Sequence, residues 1–204
     1  MQQIHYLILI ICLSSCMALK PYNNEIHKHR KQYKEGFLNN PRSPLVKADL
    51  DKLSFYSPDK NFKVKGTFSA STELKTFDMP TYSGITRPYA TFGIVELQLN
   101  GRKIQLEVYK NMQIPTNPIY ANHLFLPFKD INNGEETYGG GRYIDLKTSD
   151  IVNNTIEIDF NKCYNPWCAY SDGYNCPVPP RFNHLDMEIK AGEKKYKGEY
   201  KQKK

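Results

Sequence analysis

Phe92-Gly-Ile-Val-Glu-Leu-Gln-Leu-Asn-Gly-Arg-Lys-Ile-Gln-Leu-Glu-Val-Tyr109 places Asn100-Gly101 between two alternating runs. Asn-Gly suits the two positive-φ positions of a type I′ turn, whose twist matches that of the strands it joins. Pairing outward from the turn sets Leu99 against Arg102, Leu97 against Ile104, Val95 against Leu106 and Gly93 against Val108. Gln98 with Lys103, Glu96 with Gln105 and Ile94 with Glu107 share the other face. One face is apolar and the other mostly polar, as an antiparallel pair laid on a core requires. The hairpin is structural and carries no chemistry.

Working outward, Asn61 to Phe68 alternates, with Phe62, Val64, Gly66 and Phe68 on one side and Lys63, Lys65 and Thr67 on the other. Further strands are predicted at His123 to Phe128, Arg142 to Leu146, Thr155 to Phe160 and Leu185 to Ala191. The expected fold is mainly β: an antiparallel sheet or partly closed barrel of about seven or eight strands with one N-terminal helix. Aromatics at 13%, with 13 Pro and 12 Gly, agree with strands and turns. A chain of 204 residues is about one domain. It divides into a signal segment 1–15, a lipid anchor, tether and helix at 16–36, a β-rich domain at 37–194 and a basic tail at 195–204. Asn40-Pro41-Arg42-Ser43-Pro44 breaks any helix before the domain, and Ala48 to Leu53 suits a short helical turn.

The N-terminal segment sets an expected compartment. Ile4 to Leu13 is an apolar run of signal-peptide length, too short to span a bilayer. Leu13-Ser14-Ser15-Cys16 resembles the bacterial lipobox, although no Lys or Arg precedes the run. The resemblance implies cleavage before Cys16, lipidation of its thiol and a chain anchored to a membrane rather than spanning it. With no acidic cluster after Met17, the expected location is the bacterial cell envelope, on the outer membrane facing the periplasm.

The domain keeps Cys163, Cys168 and Cys176. An oxidising compartment favours one disulfide and one spare thiol. Cys168 and Cys176 flank the turn signal Asp172-Gly173, which brings their ends together. A Cys3His zinc site with His184 and a set of reduced, buried thiols are the alternatives; structural zinc sites use tighter spacings than this, and no metal is expected.

Two stretches escape core periodicity: the loop from Leu126 to Arg142, with Gly139-Gly140-Gly141, and the segment from Ile158 to His184, which holds the single Trp and several Asn. Three consecutive Gly let a backbone come close to a ligand or a neighbouring strand. Asp130, Tyr138, Arg142, Asp159, Asn161 and Asn165 are the candidate ligand-binding set. An Arg fork beside carboxylates and amides suits a small polar or anionic ligand. The same residues also suit an internal ion pair that holds the glycine loop to the Asn-Pro turn.

Phe128-Lys-Asp-Ile-Asn-Asn-Gly-Glu-Glu-Thr-Tyr-Gly-Gly-Gly-Arg-Tyr143, Asp159-Phe-Asn161, Tyr164-Asn-Pro166, Cys168-Ala-Tyr170, Cys176-Pro177, Pro179-Pro180, Asn183 and Ala191-Gly-Glu-Lys194 follow in order. Together with Arg42-Ser-Pro-Leu45 and Phe77 to Pro80, they resemble bacterial domain-of-unknown-function family 1684, often found on exported lipoproteins. The resemblance covers most of the chain after residue 36 and brings no activity or cofactor with it. Cys163 stands where the resemblance leads one to expect Ala, which favours Cys168 with Cys176 as the pair.

The function reading is therefore a binding or accessory envelope lipoprotein. A hydrolase using Asp130 and Asp159 is the alternative, and needs both carboxyls in an open cleft within about 5–9.5 Å. A thiol nucleophile at Cys168 or Cys176 with His184 requires a free sulfur. Gly-x-Ser-x-Gly, His-Glu-x-x-His and phosphate-loop motifs are absent from the sequence. The net charge of +7 alone suggests an acidic partner. Its placement decides otherwise: residues 36–189 carry 16 basic against 17 acidic groups, so the excess lies in the flanks. That pattern argues against nucleic acid and for anionic headgroups beside the anchor.

Overall fold

The structure, a computed structural model, describes residues 2–113 and 120–202, with side chains from Lys20 onward. The signal segment and the Cys16 thiol therefore lie outside the described side chains. Seven strands follow one N-terminal helix, α1 (Gln2–Leu38): β1 (Lys63–Ala70), β2 (Thr76–Pro80), β3 (Thr86–Leu99), β4 (Arg102–Asn111), β5 (His123–Phe128), β6 (Arg142–Lys147) and β7 (Thr155–Asp159). They form one antiparallel sheet in the order β6-β5-β4-β3-β1-β7, with β2 on β3, curled into a half-barrel.

The β3–β4 hairpin has the register that outward pairing from Asn100-Gly101 predicts, Leu97 opposite Ile104 and Val95 opposite Leu106. Asn100 and Gly101 take φ of 50° and 76°, as a type I′ turn demands. The register slips between Thr91 and Gly93, and there β3 changes partner: β2 lies along its first half and β1 along its second. A bulge at such a point bends a strand, which suits a curled sheet. Val95, Leu97, Leu106, Val108, Leu124, Leu126, Ile144, Ile156 and Ile158 fill the principal core. Met79, Tyr89, Tyr109, Phe125 and Tyr143 form a smaller aromatic core.

Strands β4 and β5 pair only at Tyr109 and Phe125. The buried Asn183 side chain closes the gap beside them. It accepts from the Glu107 N–H at 2.7 Å and donates to the carbonyls of Glu107 at 2.9 Å and Pro127 at 2.7 Å.

One expectation is corrected, and three features lie beyond what the sequence showed. Leu185 to Ala191 is not a strand, although Leu185, Met187, Ile189 and Ala191 are buried in alternation. Carbonyls of Ile189, Ala191 and Glu193 are taken by the Arg142 guanidinium, so an extended segment is held by a side chain rather than by a neighbouring strand. Strand β2 and the start of β3 escape the period-two reading because Pro80 and Pro88 interrupt them and β2 is largely exposed. The helix expected within residues 16–36 is present and continues to Leu38; Tyr22, Ile26, Tyr33 and Phe37 recur on one face of it, and Tyr22, Ile26 and Phe37 are buried. The basic tail is laid on the domain as far as Lys201, whose N–H donates to the Tyr170 carbonyl at 2.8 Å and whose ammonium pairs with Asp49.

Candidate functional site

The predicted polar residues divide into two groups. In the first, β6 presents Arg142 at its start and the end of β5 leads into Asp130. The two side chains form an ion pair without solvent exposure. Arg142 also donates to the carbonyls of Ile189 at 2.8 Å, Ala191 at 2.5 Å and Glu193 at 3.2 Å. Asp130 is tied to its own turn as well, accepting from the Asn132 N–H at 3.0 Å. Burial pushes the Asp130 carboxyl up, and the Arg142 charge pulls it back. Gly141, at φ +88°, lies against the Phe128 carbonyl, where a Cβ would stand 2.6 Å from that oxygen. That glycine serves chain-to-chain approach, and Tyr138 likewise points inward, donating to the Cys168 carbonyl at 3.2 Å.

Glu193 joins this group, a residue that the sequence reading quoted only within Ala191-Gly-Glu-Lys194. It is fully buried and accepts from Asn165 N–H at 2.8 Å, Tyr33 Oη at 2.9 Å and Tyr170 Oη at 2.7 Å. Burial raises its carboxyl from 4.5 to about 7 against the pull of those donors and of Arg142. Asn165 continues the chain of contacts by donating to the Lys194 carbonyl at 2.9 Å.

Asp159 and Asn161 form the second group at the end of β7. Asp159 Oδ1 accepts from Tyr22 Oη at 3.0 Å and from Asn161 N–H at 3.0 Å, and Asn161 Nδ2 donates to the Asp59 carbonyl at 2.8 Å. Asp159 Oδ2 has no hydrogen bond, with Lys162 Nζ 3.8 Å away. The carboxylates offered as a hydrolytic pair thus have separate partners, and Asp130 has no exposure through which to act as a base on substrate. Cys168 is bonded to Cys176 with Cα atoms 6.2 Å apart, which removes the free sulfur that a thiol nucleophile needs and two of the three thiols of the zinc alternative. Cys163 is buried and free, its thiol pushed up to about 11 by desolvation. Among the described residues, no three of His, Cys, Asp and Glu gather as a metal site.

The open space lies elsewhere. Strands β6 and β7 are the two ends of the curled sheet, and α1 crosses the seam between them. A cleft of about 890 Å³ remains beneath the helix. Tyr33, Gly36 and Phe37 line it from α1, Ile144 to Leu146 from β6, Glu157 and Asp159 from β7, and Tyr164 and Trp167 from the following turns. Gly36 stands in the last turn of α1, two residues before its end at Leu38. Gly36 is on the cleft lining, and a Cβ there would meet nothing within 4 Å. Asp159 is the one predicted site residue on this wall; Asp130, Tyr138, Arg142, Asn161 and Asn165 are not on it. No periodicity signals such a cleft, because residues distant in sequence form it across a seam.

Fold and site define a mainly β half-barrel whose open seam is bridged by an N-terminal helix over a mixed aromatic and polar cleft. Residues 48–194 match the family described as Protein of unknown function (DUF1684), and the chain belongs to that family. It is also similar to the solution NMR structure of an uncharacterized protein from Haloarcula marismortui. That likeness has 28% sequence identity and a TM-score of 0.67, over 87% of this chain and 96% of the other. No curated protein matches it. Among the described residues, no helix is long and apolar enough to cross a membrane.

Proposed function

We propose that this chain is a lipid-anchored protein of the bacterial envelope, on the outer membrane facing the periplasm, whose β domain binds a small ligand in the cleft beneath α1. The observation that carries the ligand reading is the cleft itself. Its volume lies within the range of small-molecule sites, roughly 300–1,000 Å³, and Gly36 is on its lining with room beside it for a side chain. The buried Arg142–Asp130 and Glu193 networks act behind it, holding the segment from Ile189 to Lys194 against the sheet. The lipobox-like Leu13 to Cys16 supports the anchor, and a closed disulfide suits an oxidising compartment. Tyr22 is the first described side chain of α1 buried against the domain. With lipid on Cys16, about 9 Å of helix would separate anchor from domain, at 1.5 Å per residue, and keep the cleft close to the membrane.

Mass spectrometry of the full chain purified from its own cells tests both parts. The expected N-terminal peptide begins at a diacylated Cys16; a chain that retains Met1 refutes the anchor. Native spectra are expected to show a co-purifying small mass that Gly36→Phe, which adds a ring to the cleft lining, removes. A mass retained unchanged by that variant refutes the site.

A further inference from the structure

We propose that the cleft selects an organic cation, an ammonium group carried on an apolar or aromatic body. This rests on the cleft being the binding site and goes further by naming the chemistry of its occupant. Four carboxylates, Asp145, Asp150, Glu157 and Asp159, reach the wall against one ammonium, Lys162. His29 adds no charge at neutral pH, since burial lowers its pKa. Local partners do not cancel the excess evenly. Glu157 has Lys63 at 3.2 Å, and Lys162 turns to Glu25 at 2.6 Å. Asp145 accepts from His123 at 2.8 Å and from Tyr164 Oη at 2.9 Å. Asp150 only caps the Lys147 N–H at 2.8 Å.

Asp159 supplies a second, independent observation. It is only 7% exposed, yet its Oδ2 has no hydrogen bond and Lys162 Nζ stays at 3.8 Å. A buried carboxylate oxygen without a donor is costly, and the charge of a cation held in the cleft would offset it across the wall. The rest of the wall suits the body of such a ligand. Tyr33 and Phe37 meet edge to face at 5.1 Å, and Trp167 lies 6.3 Å from Phe37, so aromatic rings and carboxylates border one space. Aromatic faces attract ammonium groups, most strongly when desolvated. An anionic ligand would meet the same carboxylates as repulsion.

Trp167 is the single tryptophan and lines the cleft, so its fluorescence reports occupancy. The full chain is titrated at low salt with benzyltrimethylammonium, benzyl alcohol and benzoate, three probes with one aromatic body and different charge. The cation is expected to bind roughly tenfold or more tighter than the alcohol, with benzoate weaker still. Asp150→Asn, which keeps the cap acceptor, and Asp159→Asn are each expected to weaken the cation severalfold and leave the alcohol unchanged. Gly36→Phe is expected to abolish binding of all three. If alcohol or benzoate binds as tightly as the cation, the charge selection is overturned while the cleft stands as a site. Silence from all three overturns the cation class, and the native spectra above decide the cleft separately. Cation binding that survives both Asn variants also overturns it; Asp150 lies on an exposed turn, so its variant tests the idea even where Asp159→Asn fails to fold.

Discussion

Replacing Glu193 by Gln is expected to make the protein more stable above neutral pH and to leave it unchanged near pH 4.5. The wild-type carboxyl titrates at about 7 in the folded protein, against 4.5 ordinarily, because burial penalises its charge more than its donors reward it. Between those values the folded chain keeps a proton that the unfolded chain has lost. Stability therefore falls as pH rises through this window, by about 3 kcal/mol for a shift of this size, and stays at the lower level above it. Gln has no charge to bury. Its amide is expected to donate to Tyr170 Oη while its oxygen accepts from Asn165 N–H and Tyr33 Oη, and Tyr170 Oη can donate to Tyr33 Oη, 2.9 Å away. Every polar atom of the network then keeps a partner. Urea denaturation followed by Trp167 fluorescence at pH 5, 6, 7 and 8 gives the two stability curves. Their difference removes the other titrating groups, His29 among them. The curves are expected to diverge with rising pH, by about 3 kcal/mol at pH 8. Parallel curves would refute the assignment of a buried, near-neutral carboxyl to Glu193.

Three further predictions use the same denaturation assay. Asp130→Asn leaves Arg142 buried without its countercharge and is expected to cost about 3–5 kcal/mol. Adding Arg142→Met should not restore stability, since the carbonyls of Ile189, Ala191 and Glu193 then lose their donor. Asn183→Ala removes the three hydrogen bonds that close the β4–β5 gap and is expected to cost about 3 kcal/mol; a loss below about 1 kcal/mol would show that water replaces the side chain there. Replacing Cys168 and Cys176 by Ser opens a short loop, with a separation of 8 residues, and is expected to cost about 2.5 kcal/mol.

What the sequence made legible follows from how local each signal is. The β3–β4 hairpin is encoded within one continuous stretch, so Asn100-Gly101 and the alternation around it fix turn, register and face together. Burial alternation from Leu185 to Ala191 was equally visible, but not its partner: Arg142 satisfies those carbonyls, and a side chain 47 residues away leaves no periodic trace. Alternation reports which side is buried, not what bonds the backbone. Tyr22, Ile26, Tyr33 and Phe37 carry a helical stripe that surrounding Lys and His obscure, so the docking of α1 came from the fold. The candidate residues stood out in the sequence because core periodicity does not explain them. Whether an Arg, an Asp and several Asn serve a ligand or hold a chain in place depends on solvent access, and the sequence does not encode that locally. Gly36 was legible only as a helix end, whereas in the structure it also lines the cleft.

The location of the binding site is the central claim, and a ¹H–¹⁵N NMR titration of the full chain with the small-molecule extract of its own cells tests it most directly. The single indole N–H of Trp167 and the amide of Gly36 are expected to shift, while the amides of Gly139, Gly140 and Gly141 stay in place. Shifts confined to the glycine loop, with Trp167 and Gly36 unmoved, would contradict the account and return the site to Asp130 and Arg142.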